Sequence, residues 1–419
     1  MDNTNTNVTL LFMARFIRLF AFGFMSVILV LFLSETGLSD AGIGLLLSLT
    51  LAGDVVLSFW VTGVADRIGR RRMLVFGAFL MAVSGCVFAV TRNPYALTAA
   101  AIIGIISPSG NEIGPFLSIE QAALSQLIAD KKRTAVFGWY NLAGSFATAL
   151  GALGSGWLSR ILQQSGFTAF ESYRYIMTGY AIIGGILILL FIKLSVDVEV
   201  LKPSRMPEGK AKPVKTVFGL HRSRPVVIRL SALFALDAFA GGFVVQSIMA
   251  YWFHIRFGVD TGVLGSIFFG ANIFAGISAL LATRIADRFG LINTMVFTHI
   301  PSNVLLCLVP LMPGLGWAIA LLLLRFSISQ MDVPTRQSYT MAVVAPDERT
   351  AASGITNIAR SIGAAASPAL SGLLIASPVF FSAPFFLAGG LKIIYDISLY
   401  MLFQNVKPPE MEIGNEQNP

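Results

Sequence analysis

Apolar residues run along this chain in long blocks, and short polar segments rich in Gly, Pro, Lys and Arg separate the blocks. The blocks show neither the alternation of a half-buried strand nor the single stripe of a soluble amphipathic helix. Each is about 20 residues long, enough for a helix to cross a hydrocarbon core of about 30 Å. Because a helix satisfies its own backbone hydrogen bonds in lipid, the pattern predicts an all-α membrane protein.

Breaks at turn residues and charges predict twelve transmembrane helices, six on each side of a polar stretch. The predicted spans are 10–33, 41–64, 73–91, 95–128, 134–158, 173–195, 226–253, 261–285, 291–312, 315–343, 351–376 and 379–404. The start of the chain lacks a basic segment ahead of its apolar stretch, so we expect a retained first span. The predicted domains are a six-helix bundle at 1–195, a cytoplasmic linker at 196–225, a second six-helix bundle at 226–406 and a disordered cytoplasmic tail at 407–419.

The basic residues are distributed unevenly between the predicted loops. With the amino terminus in the cytoplasm, twenty of the thirty Lys and Arg residues fall in cytoplasmic segments and four fall outside. The positive-inside rule therefore predicts that both termini are cytoplasmic. The short loops and tails favour the inner (plasma) membrane of a bacterium.

Composition excludes several classes of protein. The chain is 55% hydrophobic and only 12% charged, unlike a soluble enzyme or a disordered chain. Its net charge of +8 is explained by membrane topology, so we expect no nucleic-acid partner. The three histidines are scattered, and no nucleotide-binding loop or catalytic motif is present, so we expect no metal, no cofactor and no enzyme activity.

The two halves of the chain are related in sequence. VADRIG at 64–69 returns as IADRFG at 285–290, and KRTAVFGWYN at 132–141 returns as ERTAASGITN at 348–357. The matches lie at nearly constant offsets and at the same point of each half. They predict a duplicated six-helix unit, which is typical of one class of secondary transporter.

The loop after the second span carries a recognisable signature. TGVADRIGRRRML at 62–74 resembles G-x-L-A-D-R-x-G-R-K-x-x-L of the major facilitator superfamily, although its first glycine is replaced by Thr62. The resemblance covers all twelve spans and implies two pseudo-symmetric six-helix bundles. It also implies a cytoplasmic latch that breaks when the bundles rock. The latch residues are Asp66, Arg67, Gly69, Arg70, Asp130, Asp287 and Arg288.

Two contacts are expected within this latch. We expect Asp66 to lie against the positive amino-terminal end of a neighbouring helix. We expect Arg67 and Arg70 to Arg72 to pair with carboxylates such as Asp130 on a neighbouring loop. The motifs of the fourth and fifth spans that are typical of drug exporters in this family are absent or degenerate.

Ionisable and amide side chains within the spans are the candidates for substrate binding and proton coupling, because burying charge in a membrane is costly. They are Arg18, Asp54, Asn111, Glu112, Glu120, Gln121, Asp237, Asp332, Arg336 and Arg360. Structural pairing is the alternative role. Alignment of the repeats sets Arg18 opposite Asp237 and Glu120 opposite Arg336, and predicts that these residues pair.

The fourth span is unusual because Pro108 and Pro115 surround Asn111 and Glu112 near mid-depth. Prolines remove backbone donors, and a broken helix here would present polar backbone, which lipid permits only where that backbone lines a cavity. The alternative is a kinked packing helix whose carboxylates bond to neighbouring side chains.

These features predict a secondary active transporter that exports a small organic solute in exchange for protons by rocker-switch alternating access. Its predicted partners are the solute, protons and the bilayer, and it is expected to work as a monomer. The alternative is a uniporter or symporter that imports an anionic metabolite held by Arg18, Arg336 or Arg360. A receptor is disfavoured because no soluble signalling domain is present.

Overall fold

The computed structural model describes residues 3–112, 114–128, 130–199, 221–345 and 348–404. Side chains 3, 130–135 and 350, most of the predicted linker and the predicted tail lie outside this description. The described residues form α-helices and two short 3₁₀ turns, without a β-strand. The helices are α1 Asn3–Ser26, α2 Leu29–Glu35, α3 Asp40–Ile68, α4 Arg70–Val90, α5 Pro94–Ile103, α6 Phe116–Leu127, α7 Asp130–Gln164, α8 Ala169–Ile192, α9 Arg224–Gly242, α10 Gln246–Phe257, α11 Thr261–Phe289, α12 Leu291–Leu308, α13 Leu315–Ser329, α14 Asp332–Ala342, α15 Arg349–Ile375 and α16 Ala383–Phe403.

The helices confirm the predicted all-α membrane class. Among the described residues, ten segments are long and apolar enough to cross a membrane. The two other predicted spans are the fourth, which is split between α5 and α6, and the fifth, which is the Gly- and Ser-rich helix α7. The count of twelve spans and the orientation of the termini stay predictions.

The first span begins earlier than its apolar block indicates. Its helix starts at Asn3, and Asn7 explains why this polar segment is ordered. The Asn7 amide donates to the Ser195 hydroxyl at 2.7 Å and accepts from the Ser195 N–H at 3.0 Å. These two hydrogen bonds hold the start of α1 against the segment that follows α8.

Glycines allow several helices to pack backbone to backbone. On α8, a Cβ at Gly184 would lie 2.7 Å from the Ala82 nitrogen on α4, closer than real side chains approach. One turn along the same contact, a Cβ at Gly85 would lie 2.8 Å from the Ala181 nitrogen. The neighbouring Gly185 faces open space, so only one glycine of the pair is required by packing.

The chain forms two compact units. The first contains Met1–Leu201, Val244–Ile273 and Pro368–Ser382, and the second contains the remaining residues. Two segments of the second sequence half are therefore part of the first unit. The predicted division into two six-helix bundles stays a prediction.

Within the first unit, polar contacts tie these two segments to α1 and α3. The Gln246 amide donates to the Ser26 hydroxyl at 2.7 Å, and the Tyr251 hydroxyl donates to Asp40 at 2.8 Å. A Cβ at Gly372 would lie 2.8 Å from the Gly44 Cα, so α15 and α3 cross closely. The predicted topology places these contacts at the end of the unit away from the cytoplasm.

The core of the second unit lies between α9, α12, α14 and α16. It contains Phe234, Val296, Tyr339, Tyr395 and Phe403, all buried. This core surrounds ionisable side chains that were predicted to lie within membrane spans.

Candidate functional site

The fourth span is broken rather than only kinked. Helix α5 ends at Ile103 and α6 begins at Phe116, and the described residues between them are not helical. Gly110 and Gly114 have φ angles of +71° and +79°, in the left-handed region that glycine tolerates. Together with the prolines, they allow the chain to cross this segment without helical hydrogen bonds.

The break presents Glu112 to two arginines on α1. Arg15 Nη1 lies 2.9 Å from Glu112 Oε2, and Arg18 Nε lies 3.0 Å from Glu112 Oε1. The Asn141 side chain accepts a further hydrogen bond from Arg15 at 3.1 Å. Glu112 is 11% exposed, so it is the accessible carboxylate of this cluster.

Glu120 is held more tightly than Glu112. The Arg18 guanidinium donates to both of its oxygens, at 2.5 and 2.7 Å, and the Tyr140 hydroxyl also donates to it. The Arg18 and Glu120 side chains are both 0% exposed. Removing either partner of such a bidentate buried pair would leave one buried charge without compensation, which is strongly destabilising.

The other first-half candidates lie at varying distance from this cluster. Asp54 on α3 accepts from the Ser58 hydroxyl at 3.4 Å and from the Gly114 N–H, which brings it to the break. Asn111 is exposed, and its backbone carbonyl accepts a hydrogen bond from the Ser107 hydroxyl in the broken segment. Gln121 is half-buried.

A second ion cluster lies in the second unit around Asp237 on α9. Arg336 Nη1 and Arg360 Nη1 lie 3.2 and 3.1 Å from Asp237 Oδ2, and Lys392 donates to Oδ1. Arg336 also contacts Asp332 at 2.7 Å, one helical turn away on α14. Five charges from four helices therefore share one buried site.

Among the five residues in direct contact in this second cluster, cations outnumber carboxylates by one. Arg336, Arg360 and Lys392 face Asp237 and Asp332, and Arg360 is the most exposed of them at 29%. An excess buried cation is costly, and an anion reduces that cost.

The predicted pairs Arg18–Asp237 and Glu120–Arg336 are wrong. Arg18 pairs with Glu112 and Glu120, whereas Arg336 pairs with Asp237 and Asp332. Alignment of the repeats identifies residues at equivalent positions of the two halves, and equivalence does not imply contact. Each of these residues pairs with a residue of its own half. The repeat instead preserves one ion pair with its polarity inverted, Arg18–Glu120 in the first half and Asp237–Arg336 in the second.

At the signature loop, the carboxylate against a helix amino terminus is Glu199 rather than Asp66. Glu199 accepts from the N–H groups of Arg70 and Arg71 at 2.6 and 3.2 Å, at the start of α4. Asp66 is 65% exposed and contacts the Arg70 side chain at 3.0 Å across Gly69, whose φ is +117°. This corrects the expectation that Asp66 lies against a helix amino terminus. Helix α4 starts immediately after the loop that follows Asp66, and its first N–H groups bond to Glu199 in the segment after α8.

The structure describes the remaining latch residues only in part. Arg70 donates to the Gln126 side chain at 3.1 Å and the Val198 carbonyl at 3.3 Å. The Asp130 side chain lies outside the described residues. The remaining three, Arg67, Asp287 and Arg288, are exposed.

Sequence reasoning missed Glu199 and Glu348, although both follow or precede a helix end by a few residues. Glu348 accepts from the N–H groups of His221, Arg222 and Ser223, which immediately precede α9, the last two at 2.8 Å. Burial alone would raise the pKa of Glu348. Hydrogen bonds from the Ser223 hydroxyl and the three N–H groups instead lower that pKa to about 2.

Long apolar helices, a broken span and buried ion clusters define a polytopic membrane transport protein. The chain belongs to the Major Facilitator Superfamily, because the model of that family matches residues 11–368. Its family and its structural neighbours are transporters, not enzymes.

Relatives and solved structures resemble the chain over nearly its whole length. It is 30% identical to the uncharacterized membrane protein YJR124C of Saccharomyces cerevisiae, over 96% of this chain and 94% of that one. It is 23% identical to multidrug resistance protein 1 of Bacillus subtilis, over 93% and 94%. The nucleoside transporter NupG shares its fold with a TM-score of 0.70 at 15% identity, over 96% and 100%.

Proposed function

We propose that this protein exports a small organic solute in exchange for protons by rocker-switch alternating access. The observation that carries the proposal is Glu112, a partly exposed carboxylate in a broken transmembrane helix, contacting two arginines. A multidrug resistance protein among the relatives supports export. We include the inner or plasma membrane as the location in this proposal.

The Glu112 cluster suits reversible protonation. Arg15 and Arg18 balance Glu112 and Glu120, so the four charges sum to zero while both carboxylates are ionised. A proton on Glu112 removes the charge that holds Arg15 and leaves a net positive site. A positively charged solute and a proton therefore compete, which is the requirement for exchange of one for the other.

Glu120 serves a different role in this proposal. Its two oxygens already accept three hydrogen bonds from Arg18 and Tyr140. Protonation would disrupt a saturated pair, so we assign Glu120 to positioning Arg18 and Glu112 to carrying the proton.

The experiment uses purified protein in liposomes with ethidium as the cationic probe. We expect ethidium accumulation to follow an imposed pH gradient in the unmodified protein. Glu112→Gln should keep ethidium exchange and lose accumulation driven by the gradient, whereas Glu120→Gln should lower the amount of folded protein. Accumulation that ignores the gradient in the unmodified protein contradicts proton coupling, and normal coupling in Glu112→Gln contradicts the role of Glu112.

The excess cations around Asp237 favour a second candidate function, transport of an anionic solute by uniport or symport. Here the anion would bind Arg360, the exposed cation of the cluster. Benzoate should then raise the unfolding temperature of the protein, and Arg360→Gln should abolish that shift. Stabilisation by ethidium and not by benzoate favours the first candidate.

A further inference from the structure

A buried polar cluster lies between α12 and α16, and the proposed function does not use it. His299 Nδ1 lies 2.8 Å from Asp396 Oδ1, and the Asn303 amide donates to Asp396 Oδ2 at 3.1 Å. All three side chains are buried. His299 and Asn303 are one turn apart on α12, so both face the same carboxylate.

The cluster adjoins the charges around Asp237. Lys392 lies one turn before Asp396 on α16 and bonds to Asp237 on α9. His299 and Asp396 are each close enough to Asp237 for their charges to interact. The His299 ring also meets the Tyr395 ring edge-on, with centroids 6.1 Å apart.

Two further elements carry charges toward this region. From α14, Arg336 and Asp332 interact electrostatically with Tyr395. From α15, Arg360 reaches Asp237. A charge gained at His299 therefore acts on the whole Asp237 cluster.

We propose that His299 and Asp396 form a proton-binding site whose occupancy changes the charge of the Asp237 cluster. Histidine is the side chain whose ordinary pKa lies closest to physiological pH. A neutral imidazole beside an ionised Asp396 carries a charge of −1, and one proton taken from water makes the pair neutral. The direct contact with Asp396 stabilises the imidazolium, while Lys392 and the two nearby arginines oppose it.

The geometry also gives the consequence of proton binding. An ionised Asp396 with a neutral His299 offers Lys392 a second negative partner one turn away. An imidazolium removes that attraction and leaves Lys392 to Asp237 alone. Proton binding at α12 and α16 is thereby linked to the ion pair on α9, and the linkage must be reciprocal.

The test is a pH titration of the histidine side chains by nitrogen-15 NMR in lipid nanodiscs. The chain has only three histidines, so the variant His221→Gln, His254→Gln leaves His299 alone. We expect its imidazole to gain a proton as the pH is lowered. Asp396→Asn should weaken proton binding about tenfold, equal to one pH unit, and Lys392→Gln should strengthen it.

A purely structural histidine gives a different result. An imidazole that stays neutral from pH 8 to pH 5, or whose titration ignores both substitutions, overturns the proposal. His299→Gln in liposomes supplies the functional readout. A pH profile of ethidium transport that shifts supports the site, and an equal loss at every pH overturns it.

This inference rests on the proposed function only for the transport readout. The titration is measured without a solute or a gradient. If His299 titrates but ethidium accumulation does not follow the pH gradient, proton-coupled export is contradicted and the proton-binding site is supported. If His299 does not titrate but accumulation follows the gradient, the proton-binding site is contradicted and proton-coupled export is supported.

Discussion

Single carboxylates hold the starts of two helices near the predicted cytoplasmic surface. Glu199 accepts from two N–H groups at the start of α4, and Glu348 accepts from three before α9. A helix amino terminus leaves its first N–H groups unpaired and carries partial positive charge, and Glu199 satisfies both demands for α4. Glu348 instead binds the backbone of the three residues that lead into α9. Each glutamate also joins two segments that are more than 100 residues apart in the chain.

We expect Glu348→Gln to lower the unfolding temperature, because a neutral amide replaces a carboxylate that accepts three N–H groups. The loss should be about 1–3 kcal/mol. The pKa of Glu348 is lowered to about 2, so its stabilisation is complete above its ordinary pKa of 4.5 and is lost as pH falls toward 2. Thermal unfolding in detergent should show the same difference from the unmodified protein at pH 6 and pH 8.

Glu35→Gln is the matched control for this substitution. Glu35 is exposed at the end of α2, and its amide should leave the unfolding temperature unchanged. An equal effect of the two substitutions contradicts a special role for Glu348.

At the scale of elements, close packing of helices depends on which face a glycine occupies. The contact of α4 with α8 uses Gly85 and Gly184, each set against the backbone of an alanine. In lipid, helix association relies on close van der Waals packing rather than on hydrophobic burial, so small residues define the interface.

Neighbouring glycines on α8 offer a direct test. Gly184→Leu should lower the unfolding temperature strongly, because its side chain would overlap the backbone at Ala82, and such overpacking costs about 1–3 kcal/mol or more. Gly185→Leu should be tolerated because nothing lies within 4 Å of its Cβ position. Fluorescence-detected size exclusion after heating measures both, and equal unfolding temperatures contradict the assigned contact.

The sequence was sufficient to predict the helices but not the contacts that their charged side chains make. Block length predicted the membrane helices, and Pro108 and Pro115 marked the irregular point between α5 and α6, because both signals are local. Local signals left open whether the helix there is broken or only kinked. The pairing of Arg18 was mispredicted because repeat alignment identifies equivalent positions rather than contacts. Glu199 and Glu348 were missed because their partners are backbone N–H groups, which any residue carries.

At the scale of the whole molecule, the proposed latch must form and break while the helices stay folded. Asp66 and Arg70 lie where α3 meets α4, and Arg70 also bonds to Gln126 and Glu199. This position suits control of a rocking motion. The predicted cytoplasmic location of the loop follows from the distribution of basic residues along the chain.

We expect Asp66→Asn to slow transport of ethidium in liposomes more than it weakens ethidium binding. The exposed Asp66 contributes little to stability, so its loss should act through switching between states. Asp287→Asn, at the equivalent position of the second repeat, is the matched control and should have the smaller effect because the basic run after it is missing. Full transport rate in Asp66→Asn removes the latch role.

The inverted ion pair constrains how the two repeats could have diverged from a common ancestor. Exchanging one charge of a buried pair leaves two like charges together in a low-dielectric interior, an intermediate costing several kcal/mol. The path from Arg18–Glu120 to Asp237–Arg336 therefore required a compensating change or a neutral step in one repeat. Once fixed, the inversion makes the halves non-interchangeable: a protein built from two copies of either half would carry the same polarity twice and would lose the asymmetry of the natural chain.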